Sequence, residues 1–109
     1  MKNVTHGFHA TMTAQPGKGD ELVEFFLKAA AEAGPGANED CLVFLVGRSA
    51  TDSDVVYVTE GWTSKEAHER FFSGDEAKAV LAGVESLLAS DTRYLDEVPV
   101  GGKFAIGSQ

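Results

Sequence analysis

The segment CLVFLVGRSATDSDVVYVTEGW, residues 41–62, decides the fold, because it predicts two strands joined by a turn. In 41–48 apolar residues occupy odd and even positions alike, a pattern typical of a strand that is covered on both faces. The small polar run ATDSD predicts the turn, and 55–62 predicts the returning strand of a hairpin. Some other part of the assembly must therefore cover the second face of the first strand.

Helical patterns follow the hairpin. Thr63 and Glu66 have the spacing of a capping box, so a helix is predicted to begin directly after Trp62. Ser73-Gly74-Asp75 interrupts this helix, and Ser73 with Glu76 offers a second capping box. The apolar stripe of the second helical segment consists of Ala77, Val80, Leu81, Val84, Leu87 and Leu88.

The regions on either side of this segment complete the order of elements. Residues 4–14 alternate between apolar and polar side chains and predict a strand, which the sequence PGKGD ends. An amphipathic helix follows and is predicted to end at Gly34-Pro35-Gly36. After Ser90 the sequence TRYLDEV predicts a last strand. The glycine content of 99–109 predicts a flexible C-terminal tail behind one domain, residues 1–98.

The order strand, helix, strand, strand, helix, strand predicts an α+β fold of the ferredoxin-like βαββαβ type. Such a fold has an antiparallel sheet with its helices on one face, so the other face of the sheet is bare. The strand 41–48, taken as central, is apolar on both sides, and a lone monomer would expose an apolar patch that soluble monomers rarely carry. We therefore predict a homodimer that packs sheet against sheet, with the helices outside.

Size and charge narrow the function. The 109 residues suffice for one domain, and a net charge of -8 works against nucleic-acid binding, which depends on Lys and Arg. No apolar run is long enough for a membrane span and the N-terminus lacks a signal-peptide pattern, so we predict a cytoplasmic protein that does not bind membranes.

Cys41 is the only cysteine in the sequence, which excludes an internal disulfide. Its position at the head of an apolar run favours the role of a small buried hydrophobic residue.

Metal and dinucleotide sites are not expected. His6 and His9 lie three residues apart on a strand, so alternation sends their side chains to opposite faces. There is no cysteine pair and no HExxH helix, so no metal site is predicted. Pro16-Gly17-Lys18-Gly19 lacks the third glycine and the parallel βαβ context of a dinucleotide fold, and it is interpreted as a turn.

Four features occur in order along residues 4–98. They are a first strand ending in Pro16-Gly17-Lys18, an amphipathic helix, an apolar hairpin ending in Glu60-x-Trp62, and a helix that opens Thr63-Ser64-Lys65-Glu66-Ala67. Together they resemble the antibiotic biosynthesis monooxygenase family. The resemblance implies a dimeric α+β barrel with a cavity between the sheet and the helices of each subunit. It also implies cofactor-independent oxygenation of aromatic polyketides or quinols, haem degradation, or no known activity.

The favoured function is a monooxygenase for an electron-rich aromatic, with molecular oxygen as co-substrate and no cofactor. A deprotonated phenol passes an electron to O2 itself, so the pocket has to bind the ring, promote deprotonation and exclude water. The candidate catalytic residues are Trp62 as an aromatic wall and His6 or His68 as base, because imidazole titrates near neutral pH. Alternation groups Trp62 with Glu60, and His6 with Phe8. The predicted substrate contacts are Phe8, Met12, Val58, Glu60 and Phe72.

Plainer interpretations stay open. Trp62 also suits a core position, the histidines suit solvent or the dimer interface, and Glu60 suits an ion pair with Arg48 across the hairpin. The residues also depart from the family pattern at Ala10 and Val58, where relatives carry Asn, and at Phe71 and Glu76-Ala77, where relatives carry His. The alternatives to the oxygenase are therefore a haem-binding or haem-degrading protein and a non-catalytic dimeric ligand-binding module.

Overall fold

A computed structural model describes residues 3–31 and 35–102 of the chain. The strands are β1 (His6–Thr13), β2 (Cys41–Arg48), β3 (Val55–Trp62) and β4 (Arg93–Glu97), and the helices are α1 (Gly19–Ala31), α2 (Lys65–Phe72) and α3 (Asp75–Glu85), with a single 3₁₀ turn at Pro35–Ala37. The ferredoxin-like α+β fold predicted from the order of elements is confirmed. The predicted end of α1 at Gly34 lies outside the described residues, as do tail residues 103–109.

The four strands form one antiparallel sheet in the order β2-β3-β1-β4. The prediction that β2 is a central strand is wrong, because among the described strands β2 pairs with β3 alone and lies at the edge of the sheet. Its apolar residues on both parities have another cause. One side of β2 contacts the helical layer, and the other side leaves Leu45 39% exposed. Within this single chain, β2 is therefore covered on one face, although its sequence pattern predicted cover on both.

The hydrophobic core lies between the sheet and the helices. Alternate residues of β1 and β3 point into it, and helix α1 contributes Leu22 and Phe26 from above. Leu22, Val56 and Trp62 are completely inaccessible to solvent. The alternation predicted for β1 and β3 therefore holds for their large side chains, and the face that it buries is the helix-covered one.

Both predicted capping boxes are wrong by one position. Ser64 is the N-cap of α2, and its hydroxyl accepts the Ala67 N–H at 3.0 Å. Thr63 instead donates its hydroxyl to Asp40 at 3.0 Å, which ties the start of α2 to the loop before β2. Ser73 ends α2, and Gly74 begins α3 with no side-chain cap.

The start of α1 and the segment after α3 contact distant parts of the chain. Asp54 accepts the Gly17 N–H at 3.1 Å and the Gly19 N–H at 3.0 Å, so it closes the Pro16-to-Gly19 turn and caps the start of α1. Leu88, which the sequence pattern assigned to the last helix, lies beyond its end and pairs with Ala14 as an isolated bridge. Within the described part of the chain no helix is long and apolar enough to cross a membrane.

Candidate functional site

A cavity of about 660 Å³ lies between the helix-covered face of the sheet and the helices. This volume falls within the range of sites for small organic ligands. The sheet contributes Phe8, Ala10, Met12, Val58, Glu60 and Tyr94. The helices and the segment after α3 contribute Phe26, Phe71, Phe72, Ala77, Val80, Leu81, Val84, Glu85 and 88–92. The wall is therefore mainly apolar and aromatic, with a few polar groups.

Glu60 is the buried acid in this wall. Its residue surface is only 5% exposed, and its Oε1 accepts the Trp62 Nε1–H at 2.8 Å. Burial raises the pKa of Glu60 to about 7, and the hydrogen bond from Trp62 acts in the opposite direction. Glu60 thus combines access to the cavity with a pKa close to neutral pH, which are the two properties of a general base.

Trp62 lies behind the cavity wall rather than in it. Its side chain is completely buried and does not line the cavity. Because residues two apart on a strand share a face, β3 places the indole beside the carboxyl group of Glu60. Trp62 is therefore a core residue, and its contact with the cavity wall is its hydrogen bond to Glu60.

His68 belongs to an aromatic cluster next to Trp62. Its ring centroid lies 4.5 Å from Phe72, 4.9 Å from Phe8, 5.2 Å from Trp62 and 5.4 Å from His6. Its Nε2 is buried and has no hydrogen-bond partner among the described residues. Burial lowers the pKa of His68, the charge of His6 lowers it further, and Asp96 and Glu69 oppose the shift. The cluster therefore favours a neutral imidazole that packs as an aromatic ring.

The predicted site residues fall into two groups. The five predicted substrate contacts all line the cavity: Phe8, Met12, Val58, Glu60 and Phe72. The three predicted catalytic residues, Trp62, His68 and His6, are absent from its wall. The structure also adds Tyr94, Glu85 and Asp91, which sequence reasoning missed. Tyr94 pairs with Ala10 across β1 and β4, so knowledge of the strand register was needed to place it.

Other polar residues singled out in the sequence lie away from the cavity. His9 is on the open face of the sheet, where Nδ1 contacts Thr59 Oγ1 and Nε2 contacts Glu97 Oε1, both at 3.0 Å. The alternative ion pair between Glu60 and Arg48 is wrong, because Arg48 binds Asp20 at 2.9 Å.

Cys41 is half-buried. Its Sγ–H donates to the Val43 carbonyl at 3.3 Å. Burial raises the pKa of the thiol to about 12, with Glu60 adding to the shift and the Val43 contact opposing it. A thiol with this pKa stays protonated at neutral pH and is a poor nucleophile.

Comparisons with known proteins agree on the family. A model of the antibiotic biosynthesis monooxygenase family matches residues 5–83, and no curated protein matches the chain. A candidate antibiotic biosynthesis monooxygenase from Chloroflexus aurantiacus J-10-fl is 29% identical, with a TM-score of 0.76 over 92% of this chain and 97% of that chain. Another, from Caulobacter crescentus CB15, is 28% identical, with a TM-score of 0.79 over 90% of this chain and 92% of that chain.

A Pseudomonas aeruginosa protein that is 23% identical shares the fold, with a TM-score of 0.77 over 93% of this chain and 99% of that chain. The family model spans most of the chain and covers β1 to β3 together with α1, α2 and most of α3. This chain belongs to the antibiotic biosynthesis monooxygenase family.

Proposed function

We propose that the chain is a cofactor-independent monooxygenase for an electron-rich phenol or quinol, which binds in the cavity between sheet and helices. The observation that carries the proposal is Glu60, a buried carboxyl group in an apolar cavity wall with a pKa of about 7. Membership of the monooxygenase family supports the type of reaction. The mainly apolar cavity supports an aromatic substrate.

Glu60 is the base in this proposal, in place of His6 and His68. Proton abstraction requires direct or water-mediated reach to the substrate hydroxyl group, and Glu60 is in the cavity wall whereas neither histidine is. Trp62 holds the carboxyl group in position through the 2.8 Å hydrogen bond. His68 then acts as a packing residue against Trp62 and Phe8, and His6 packs against His68.

The reaction balances without an added reductant. Glu60 takes the phenol proton, the phenolate gives one electron to O2, and the two radicals combine to form a carbon–oxygen bond. Glu60 returns its proton to the resulting peroxide. The ring C–H bond and the O–O bond then break, so that one oxygen atom stays on the ring as a carbonyl and the other leaves as water. A phenol and O2 thus give a para-quinone and water, with all four electrons supplied by the substrate.

The haem alternative is less well supported by the side chains present. Among the described lining residues there is no histidine or cysteine, so haem iron would find neither an imidazole nor a thiolate ligand in the cavity, and Met12 and Tyr94 would be the side chains left to bind it. Searched over the described part of the chain, no group of three or more His, Cys, Asp or Glu side chains is arranged to hold a metal ion. The non-catalytic alternative would be favoured by a space filled with side chains, whereas the cavity here measures about 660 Å³.

The open face of the sheet supports a homodimer. Leu45, Tyr57 and Leu95 share this face and are 39%, 43% and 69% exposed. Covering such a face against a second copy removes apolar surface from water and leaves both cavities outside the interface. We therefore retain the sheet-to-sheet dimer as part of the proposal.

Oxygen uptake tests this function. Purified protein is assayed with an oxygen electrode against a panel of hydroquinones, hydroxynaphthalenes and anthrone-like phenols, beside Glu60→Gln and the control Glu66→Gln. Glu66 is an exposed residue of α2 outside the cavity. We expect uptake above the background autoxidation rate, at least a 100-fold loss in Glu60→Gln, and no change in Glu66→Gln. Uptake that equals background for every substrate, or that survives in Glu60→Gln, would contradict the proposal.

A further inference from the structure

The acidic side chains of the described cavity wall have no basic side chain beside them in that wall. Among the described lining residues the charged side chains are Glu60, Glu85 and Asp91, and none is Lys, Arg or His. Glu60 is buried, whereas Glu85 and Asp91 are exposed and therefore mark the side on which the cavity opens to water. The cavity wall therefore has two carboxyl groups on its exposed side and a third that is buried.

Tyr94 is itself a phenol in this wall, so its pKa shows how the wall affects the ionisation of a phenol. Its ring lies against Phe8 with centroids 5.8 Å apart, and it lines the same cavity. Partial burial raises the pKa of Tyr94, the charge of Glu60 raises it further, a hydrogen bond with Thr92 opposes the shift, and Glu85 adds to it. The environment therefore resists a second negative charge beside Glu60.

Proton transfer within the cavity avoids this penalty. When a neutral phenol gives its proton to ionised Glu60, one negative charge is present before the transfer and one after it. A substrate with a permanent negative charge would instead share the cavity with the Glu60 carboxylate throughout. Like charges at close range in a mainly apolar site repel strongly, and no described cation of the wall offsets that repulsion.

We propose that the cavity selects phenolic aromatics that carry no negative group, and that it rejects the same rings bearing a carboxylate, sulfate or phosphate. The selection rests on the proposed function only in taking the phenol as the reacting group. It is a case of specificity by repulsion, in which Glu60, Glu85 and Asp91 exclude the wrong ligand rather than bind the right one. Entry of an anionic ring requires protonation of Glu60 or screening by salt.

Binding of three matched ligands tests this inference. Calorimetric titration under anaerobic conditions at pH 8 compares 2-naphthol, 6-hydroxy-2-naphthoate and the methyl ester of that acid. The ester has the bulk of the carboxyl group without its charge. We expect the ester to bind within threefold of 2-naphthol and the acid to bind at least tenfold more weakly than the ester. Glu85→Gln combined with Asp91→Asn is expected to recover at least threefold of the lost binding of the acid.

Binding of the acid as tight as that of the ester overturns the inference, and so does failure of all three ligands to bind. These outcomes are separate from failure of the proposed function. Discrimination between ester and acid without any oxygen uptake would contradict the oxygenase and leave the selection intact. Equal oxygen uptake with acid and ester would contradict the selection and leave the oxygenase intact.

Discussion

The helix-covered face and the open face of the sheet are built from alternate residues of the same strands, and they differ in what lies over them. On β3, Val58 and Glu60 face the helices and are almost fully buried. Tyr57, which precedes Val58, faces the other way and is 43% exposed. The covered face is apolar but not filled, because a cavity of about 660 Å³ remains under the helices. The open face exposes the apolar side chains of Leu45, Tyr57 and Leu95 among polar ones, without any described helix over it.

The difference teaches that one sheet can have a cavity on its covered face and exposed apolar side chains on its open face. An apolar surface under a helical layer either packs completely or encloses a cavity, and this one encloses a cavity in whose described wall Glu60 is the buried acid. An apolar surface without a layer over it is typical of an interface. The variants below break or sharpen this contrast, and they are ordered by the size of the expected effect.

Leu45→Asp is expected to have the largest effect, because it places a charge on the open face of both copies of the proposed dimer. Burying these two charges should raise the dimer dissociation constant by on the order of a thousandfold. The matched control is Leu27→Asp on helix α1, where the leucine is 49% exposed. Sedimentation equilibrium measures both constants. A wild-type chain that is monomeric at micromolar concentration, or equal weakening by both variants, would contradict the assignment of the open face.

Glu60→Gln, on the covered face, is expected to raise the free energy of unfolding of the chain at neutral and alkaline pH. The pKa of Glu60 in the folded chain, about 7, lies above its value in the unfolded chain, so the native state keeps a proton that the unfolded state loses. The stability that protonated Glu60 confers is full below about pH 4 and is lost as the pH rises to about 7. A neutral glutamine avoids this loss, which amounts to ~3 kcal/mol for a shift of this size.

Urea unfolding of Glu60→Gln and wild type at pH 4 and pH 8 measures the effect. The free energies of unfolding should agree at pH 4 and differ by ~3 kcal/mol at pH 8, with the variant more stable. A difference that does not depend on pH would mean that Glu60 is ionised normally in the folded protein.

Trp62→Phe is expected to shift the pH dependence of activity. The indole N–H favours the ionised form of Glu60, so its removal raises the pKa of that carboxyl group. A hydrogen bond to a charged group of typical strength corresponds to about one pH unit. The acid limb of the pH–rate profile, which reports ionisation of the base, should therefore move upward by about one unit. Loss of rate at every pH without a shift of the midpoint would assign Trp62 to packing alone.

His68→Phe is expected to have the smallest effect. The substitution keeps an aromatic ring in the cluster and removes a buried Nε2 that has no described partner. The free energy of unfolding should rise by about 1 kcal/mol, because an unsatisfied buried polar atom is destabilising. Chemical denaturation measures this, and oxygen uptake should stay within threefold of wild type. A tenfold loss of oxygen uptake would make His68 the base after all.

The fold was largely predictable because its signals are local. Alternation in β1 and β3 identified the buried side chains, and the order of elements predicted the antiparallel sheet. The errors arose where a distant partner decides the outcome. Thr63 and Ser64 are both favourable cap residues, and in the folded chain Thr63 binds Asp40 instead of capping the helix. The edge position of β2 depends likewise on strand pairing that hydrophobicity alone does not encode.

The lining of the candidate site was predictable, whereas the buried acid that we propose as its base was not. Phe8, Met12 and Glu60 reach the cavity, as parity and the family resemblance indicated. The base was placed on histidine because imidazole titrates near neutral pH without help. Glutamate does so only when it is buried, and burial is a property of the folded chain. The buried acid was therefore visible in the sequence only as a contact residue.

Carbon-13 NMR of the Glu60 carboxyl group, in protein with labelled glutamate, tests the central claim most directly. The resonance is assigned by its absence in Glu60→Gln and is followed from pH 3 to pH 9. The account predicts a titration midpoint near 7 for Glu60, in line with its burial in the cavity wall. A midpoint of about 4, the ordinary value for an exposed glutamate, would contradict the assignment of Glu60 as the base.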